Sequence, residues 1–283
     1  MKKYQTLLFA ACVALFSFST FAQSPQLIKR TITKTDIFEF GSGGTLAITG
    51  APNGSIRIAG TNKNEIEITA EIELQAANEA DIAKLAAVTS YVTDEMRGRT
   101  GIISYGTYNK IGDKKLWKKF PKNLLNLPMR IDYVIKVPRY CDLEIDGGKG
   151  DLSISGVEGS MRINFLETDA NIAVIGGATN ITVGSGKVNV ALGTKGWRGR
   201  SADINLGTGD LKVKLPSNIS AEIDAAILKT GAIENTVPDL KPRSRKVPFT
   251  DKSIEAKAGV GGAPLKFTVG DGTLKMETLE SPL

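Results

Sequence analysis

Apolar and polar positions alternate with a period of two over most of this chain, and the alternation keeps restarting after a glycine. The phrase glycine, polar, apolar, polar, apolar stands at Gly150-Asp-Leu-Ser-Ile, Gly159-Ser-Met-Arg-Ile, Gly186-Lys-Val-Asn-Val, Gly209-Asp-Leu-Lys-Val and Gly272-Thr-Leu-Lys-Met, with an early copy at Gly54-Ser-Ile-Arg-Ile. Asn171-Ile-Ala-Val, Asn180-Ile-Thr-Val and Asp203-Ile-Asn-Leu keep the alternation without the glycine. A period of two is the mark of a strand with one buried face. Short strands repeated this closely predict an all-β solenoid, in which each unit buries its apolar face against its neighbours. Its inward residues should be Leu152, Ile154, Met161, Ile163, Ile172, Val174, Ile181, Val183, Val188 and Val190. The spacing of the phrases is irregular, which excludes a strict hexapeptide or nonapeptide helix. An antiparallel β-sandwich is the rival arrangement.

Two longer alternating runs stand in the first half. Ile66, Ile68, Ala70, Ile72 and Leu74 share one parity, and so do Ile131, Tyr133, Ile135 and Val137, with Pro138 closing the second run. Between them the only helical pattern runs from Asn78 to about Val88, with Ile82, Leu85 and Ala86 on one face and Asn78 or Asp81 as cap. Tyr91-Val-Thr and Ile102-Ile-Ser-Tyr should pair as a hairpin. These boundaries divide the chain into residues 1–22, a β-rich part over 23–129 with one short helix and a basic insertion at 110–122, and a strand-repeat part over 130–283.

Residues 1–22 read as a signal peptide: Lys2 and Lys3, an apolar core from Leu7 to Phe18, and small residues before a cleavage point between Ala22 and Gln23. The apolar core is far shorter than the ~20 residues needed to span a bilayer, so no transmembrane segment is expected in the mature chain. Cleavage removes Cys12 and leaves Cys141 alone, which forbids an intrachain disulfide; its parity with Leu143 and Ile145 points it inward. The remaining 34 basic and 30 acidic residues give a mild positive balance that does not suggest a nucleic-acid partner.

The absence of histidine removes Ser-His-Asp and Cys-His nucleophilic systems and most zinc sites, and no cofactor is expected. Asp142, Glu144 and Asp146 alternate along one strand face, a row that a glycan-active β-helix enzyme could use with calcium. A solvated strand face explains the same alternation. Gly147-Gly-Lys-Gly-Asp151 falls short of a calcium-binding nonapeptide, and Gly259-Val-Gly-Gly262 reads as a turn. The feature that stands apart from the repeats is Lys110, Lys114, Lys115, Trp117, Lys118, Lys119, Phe120 and Lys122. Lysines clustered around two aromatics suit an anionic lipid or polysaccharide surface. A solvated loop with its aromatics packed back on the fold would read the same way. A second basic run, Lys241 to Lys246, lies between Pro238 and Pro248 as an exposed loop.

Taken together, Ile135-Lys-Val137-Pro138, Leu143-Glu-Ile145, Gly150-Asp-Leu-Ser-Ile-Ser-Gly156-Val-Glu-Gly159, Leu215-Pro216-Ser-Asn-Ile-Ser-Ala and Gly270-Asp-Gly272-Thr-Leu-Lys-Met resemble the bacterial β-strand-repeat family of unknown function that carries the label "putative adhesin". The resemblance covers most of residues 130–280. It implies a right-handed β-solenoid in the cell envelope, periplasmic or at the cell surface, acting as a non-enzymatic binding or scaffold module. The basic insertion at 110–122 and the loop at 238–248 depart from the pattern.

Overall fold

Alternation becomes strand wherever the glycine phrase occurs. The computed structural model describes residues 27–279 apart from 97, 194–197 and 239, and there the chain is all-β with two short α-helices. The expected leader, its Ala22–Gln23 junction and Cys12 lie outside the described residues. In chain order the first part holds β1 (Ile28–Glu39), β2 (Thr45–Thr49), β3 (Ile56–Thr61), β4 (Glu65–Ala76), α1 (Glu79–Ala86), β5 (Ser90–Met96), β6 (Arg99–Tyr105), α2 (Lys114–Lys119) and β7 (Met129–Pro138). The rest holds β8 (Asp142–Lys149), β9 (Leu152–Ser155), β10 (Met161–Glu167), β11 (Ala170–Val174), β12 (Gly176–Leu192), β13 (Arg198–Leu215), β14 (Ala221–Ile227), β15 (Gly231–Asn235), β16 (Lys241–Pro242), β17 (Ser253–Ala258) and β18 (Ala263–Thr278).

Parallel pairing dominates the middle of the molecule, which excludes an antiparallel sandwich there. On one side β6, β2, β8, β10 and the first halves of β12, β13 and β18 pair in that order. On the other side β7, β3, β9, β11 and the second halves of β12, β13 and β18 do the same. The long strands β12, β13 and β18 bend from one side to the other, so the sheet curls around a shared core. Leu143, Met161 and Thr179 stand in register at a spacing of 18 residues, as do Leu152, Ala170 and Val188. All ten inward positions expected from parity are buried, and one apolar cluster runs from Phe40 to Met276. Each Ile, Leu or Val so buried contributes roughly 1.5–3 kcal/mol, which lets a rung of only a few apolar residues hold.

The corners are made by Gly150, Gly186, Gly209 and Gly272, all in the left-handed region. A Cβ at Gly209 would run into the carbonyl oxygen of Gly186 one rung below, and a Cβ at Gly186 into that of Thr168. Gly147 is short of a side chain for a different reason: the Phe165 ring of the next rung fills that space. The glycine-rich run at 147–150 is therefore explained by packing alone.

Antiparallel strands flank the stack. β4 pairs with β1 and β7, setting Ile68 opposite Ile135 and Ile72 opposite Ile131. β5 and β6 form the expected hairpin, with Tyr91 opposite Ser104. β14 pairs with β17, which also takes the two-residue β16 inside the Lys241–Lys246 loop. Asn78 caps α1 by accepting from the Asp81 amide at 2.9 Å, and Ile82 and Leu85 are buried beneath it.

Three features correct the expectation of a plain succession of coils with one helix. β2 and β3, from the first half, are rungs of the same stack as β8 and β9. β18 pairs with β13 on one side and with β14 and β15 on the other, so the last strand lies between earlier ones. Lys114–Lys119 forms a second helix, capped by the Asp113 carboxylate accepting from the Lys115 amide at 2.8 Å. Lysine and leucine are good helix formers once such a cap is present. Among the described residues no helix is long and apolar enough to cross a membrane.

Candidate functional site

The basic segment leaves the stack after Tyr105 and rejoins it at Met129, and its own side chains fix its course. Asn109 clamps the exit, accepting from the Gly106 amide at 3.0 Å and donating to the Ser104 carbonyl at 3.0 Å. Lys110 follows with a φ of +51°. Trp117 lies half-buried, donates through Nε1 to the Ile111 carbonyl at 3.1 Å, and meets the Phe120 ring at 5.3 Å between centroids. Phe120 rests on the core, and Leu124 anchors the return strand with 2 % exposure. Phe120 thus packs back onto the fold, and Trp117 is held against it within the loop.

The lysines face the other way. Lys110, Lys114, Lys115, Lys118, Lys119 and Lys122 are all exposed, and none enters an ion pair among the described residues. Lys114 and Lys118, and Lys115 and Lys119, occupy helix spacings at which like charges repel by a few tenths of a kcal/mol per pair. The one acid between residues 106 and 128, Asp113, is spent on the helix cap. Three apolar side chains that the sequence did not single out stand among these lysines: Tyr108 is 40 % exposed, Ile111 43 % and Leu116 43 %. They lack the alternation that marks a strand, and only the folded course of the loop shows that they remain uncovered.

Asp142, Glu144 and Asp146 do share the outer face of β8, but each is engaged. The Asp142 carboxylate accepts from the Ser160 amide at 2.6 Å, and Asp146 accepts from the Asn164 side chain at 2.8 Å. Glu144 pairs with Arg99 at 2.7 Å and lies 3.9 Å from Arg162. No group of three or more acidic or cysteine side chains among the described residues is disposed to hold a metal ion. Asp142 and Glu144 border an open groove of about 870 Å³ on that face.

Cys141 is 1 % exposed and points into the core, as its parity predicts. Burial pushes its thiol up to about 12, so the nucleophilic thiolate is scarce at neutral pH. In the folded protein Cys141 should not react with a colorimetric disulfide reagent at pH 8 over an hour, while denaturant should release one thiol equivalent from the chain beginning at Gln23. Rapid titration without denaturant would show that this part of the core opens.

No family model matches the chain, and no curated protein matches it. Solved structures with some similarity to the chain include three bacterial proteins. A putative cell adhesion protein from Clostridium sporogenes is 14 % identical with a TM-score of 0.46, the match covering 88 % of this chain and 100 % of that one. A putative adhesin from Bacteroides fragilis is 12 % identical at 0.38, covering 90 % and 98 %. A putative lipid binding protein from Parabacteroides distasonis is 10 % identical at 0.22, covering 88 % and 97 %. At these identities no activity passes from them to this chain.

Proposed function

We propose that the protein is a non-enzymatic, exported module of a bacterial cell envelope that docks through its lysine segment onto an anionic lipid surface. Its stack is read as a right-handed β-solenoid serving as a rigid support for that segment. The observation that carries the proposal is the cluster of six exposed lysines, unpaired among the described residues, around Tyr108, Ile111 and Leu116. Concentrating like charge on a six-residue helix costs stability unless a counter-charge arrives from outside. Each lysine held near an anionic headgroup contributes ~1 kcal/mol, and the three apolar side chains are placed to enter the interfacial layer. The leader supports export, and the engagement of Asp142, Glu144 and Asp146 by neighbouring groups supports a binding role over a catalytic one.

Sedimentation with vesicles of phosphatidylcholine and phosphatidylglycerol tests this. The protein should bind in proportion to the anionic fraction, and binding should fall steeply as salt shortens the Debye length below ~10 Å. Charge reversal at Lys114, Lys115, Lys118 and Lys119 should abolish binding without changing the melting temperature, because these side chains touch none of the core. Leu116→Ser should weaken binding about threefold to tenfold. Salt-independent binding, or a quadruple variant that binds like the parent, would remove the lysine segment from the function. Binding to a soluble acidic polysaccharide in place of vesicles would keep the site and change the partner.

A further inference from the structure

A column of outward side chains crosses six adjacent parallel strands on the face bordered by the carboxylate row: Glu144, Arg162, Asn180, Asp203, Lys266 and Asp224. Strands lie ~4.8 Å apart, so the column is roughly 24 Å long. The residues beside it are short, Ser160, Ala178 and Ser201, and their lack of bulk opens the groove of about 870 Å³. Charge alternates along the column and its ends are closed by partners, Arg99 on Glu144 and Arg243 on Asp224. Asn180, Ser201, Lys266 and the Ser160 hydroxyl make no side-chain hydrogen bond or ion pair among the described residues.

We infer that this groove binds an extended chain of neutral sugars, a site separate from the lysine segment and independent of how that segment functions. Three observations select the ligand class. Three acids, on the first, fourth and sixth rungs, stand beside four cations, Arg162, Lys266, Arg99 and Arg243, so the nearly balanced charge offers an acidic polymer little net attraction. The backbone of this face is consumed in the parallel ladder, so a peptide could not add to it as a strand and would find no apolar pocket for its side chains. What remains available is a repeating row of hydroxyl, amide and ammonium groups at strand spacing. A polyhydroxylated chain presents complementary donors and acceptors at a comparable repeat.

Calorimetric titration of the protein with neutral hexasaccharides, glucan, mannan and N-acetylglucosamine types, tests the assignment. At least one should bind, with an affinity unchanged between low and high salt. The double substitution Asn180→Ala, Ser201→Ala should weaken it about tenfold or more, since each removes a hydrogen-bonding group from the groove. Ala178→Trp, which fills the groove from an outward position, should abolish binding while leaving the far-ultraviolet spectrum and melting temperature intact. Asn189→Ala, on the other side of the stack, should bind as the parent does. Failure of every neutral hexasaccharide at millimolar concentration, binding confined to acidic glycans and lost in salt, or an Ala178→Trp protein that still binds would each overturn the inference.

Discussion

Gly209→Val is expected to lower the unfolding free energy by roughly 4 kcal/mol or more. Two costs add at this position. The φ of +129° is open to glycine and unfavourable for a β-branched residue. A Cβ there also collides with the Gly186 carbonyl, which is part of a backbone ladder and cannot swing aside as a flexible side chain could. Relief requires the rungs to separate, breaking hydrogen bonds on both sides of the corner. Gly43→Ala separates the two costs, because Gly43 has a φ of +83° with no atom near its missing Cβ. That variant should lose only about 1–2 kcal/mol. Urea unfolding followed by circular dichroism measures both. Equal losses would show that conformation alone matters and that the rungs are not in close contact at the corner.

Ile172→Asp is expected to lower stability by about 4 kcal/mol, whereas Ala173→Asp should cost less than about 1 kcal/mol. Ile172 is 2 % exposed and stands in register between Ile154 and Val190, so a carboxylate there loses its water and finds only aliphatic neighbours. Ala173 is half-exposed and points outward beside Ala191, where a carboxylate stays hydrated. The two positions are adjacent in sequence and share strand β11, so differences in strand propensity cancel to first order. Similar midpoints in urea would mean that the register of β11 is reversed or that the strand is not held in the stack.

Parity was enough to assign which side of each short strand is buried, because a slip of one residue would expose a whole row of Ile, Leu and Val. It could not say which strand neighbours which. The phrases are near copies, so β18 could pair with any rung as well as with β13, and nothing local distinguishes them. The Lys114–Lys119 helix was invisible for the opposite reason: six residues are too few to display a helical period, and its evidence is one capping aspartate. In the basic segment the lysines stood out by composition, whereas the roles of the aromatics did not. Phe120 turned inward with Trp117 held against it, and Tyr108, Ile111 and Leu116 took the exposed places. The groove was illegible because its residues come from strands 18 to 63 positions apart, as Arg162, Asn180, Asp203 and Lys266 show.

The strand β18 has a consequence for how such a chain is delivered. A polypeptide emerging amino end first can lay β8 through β13 one upon another as each appears, since every partner has already been made. β14 and β15 break that order, because the neighbour they require is synthesised after them. Until β18 arrives, the upper face of β13 stands open and β14 and β15 have no parallel partner. An open edge of this kind invites pairing with other chains. Vectorial assembly therefore stops at β13, and closure of the stack becomes a single late insertion, governed by release of the distal segment rather than by the pace of elongation.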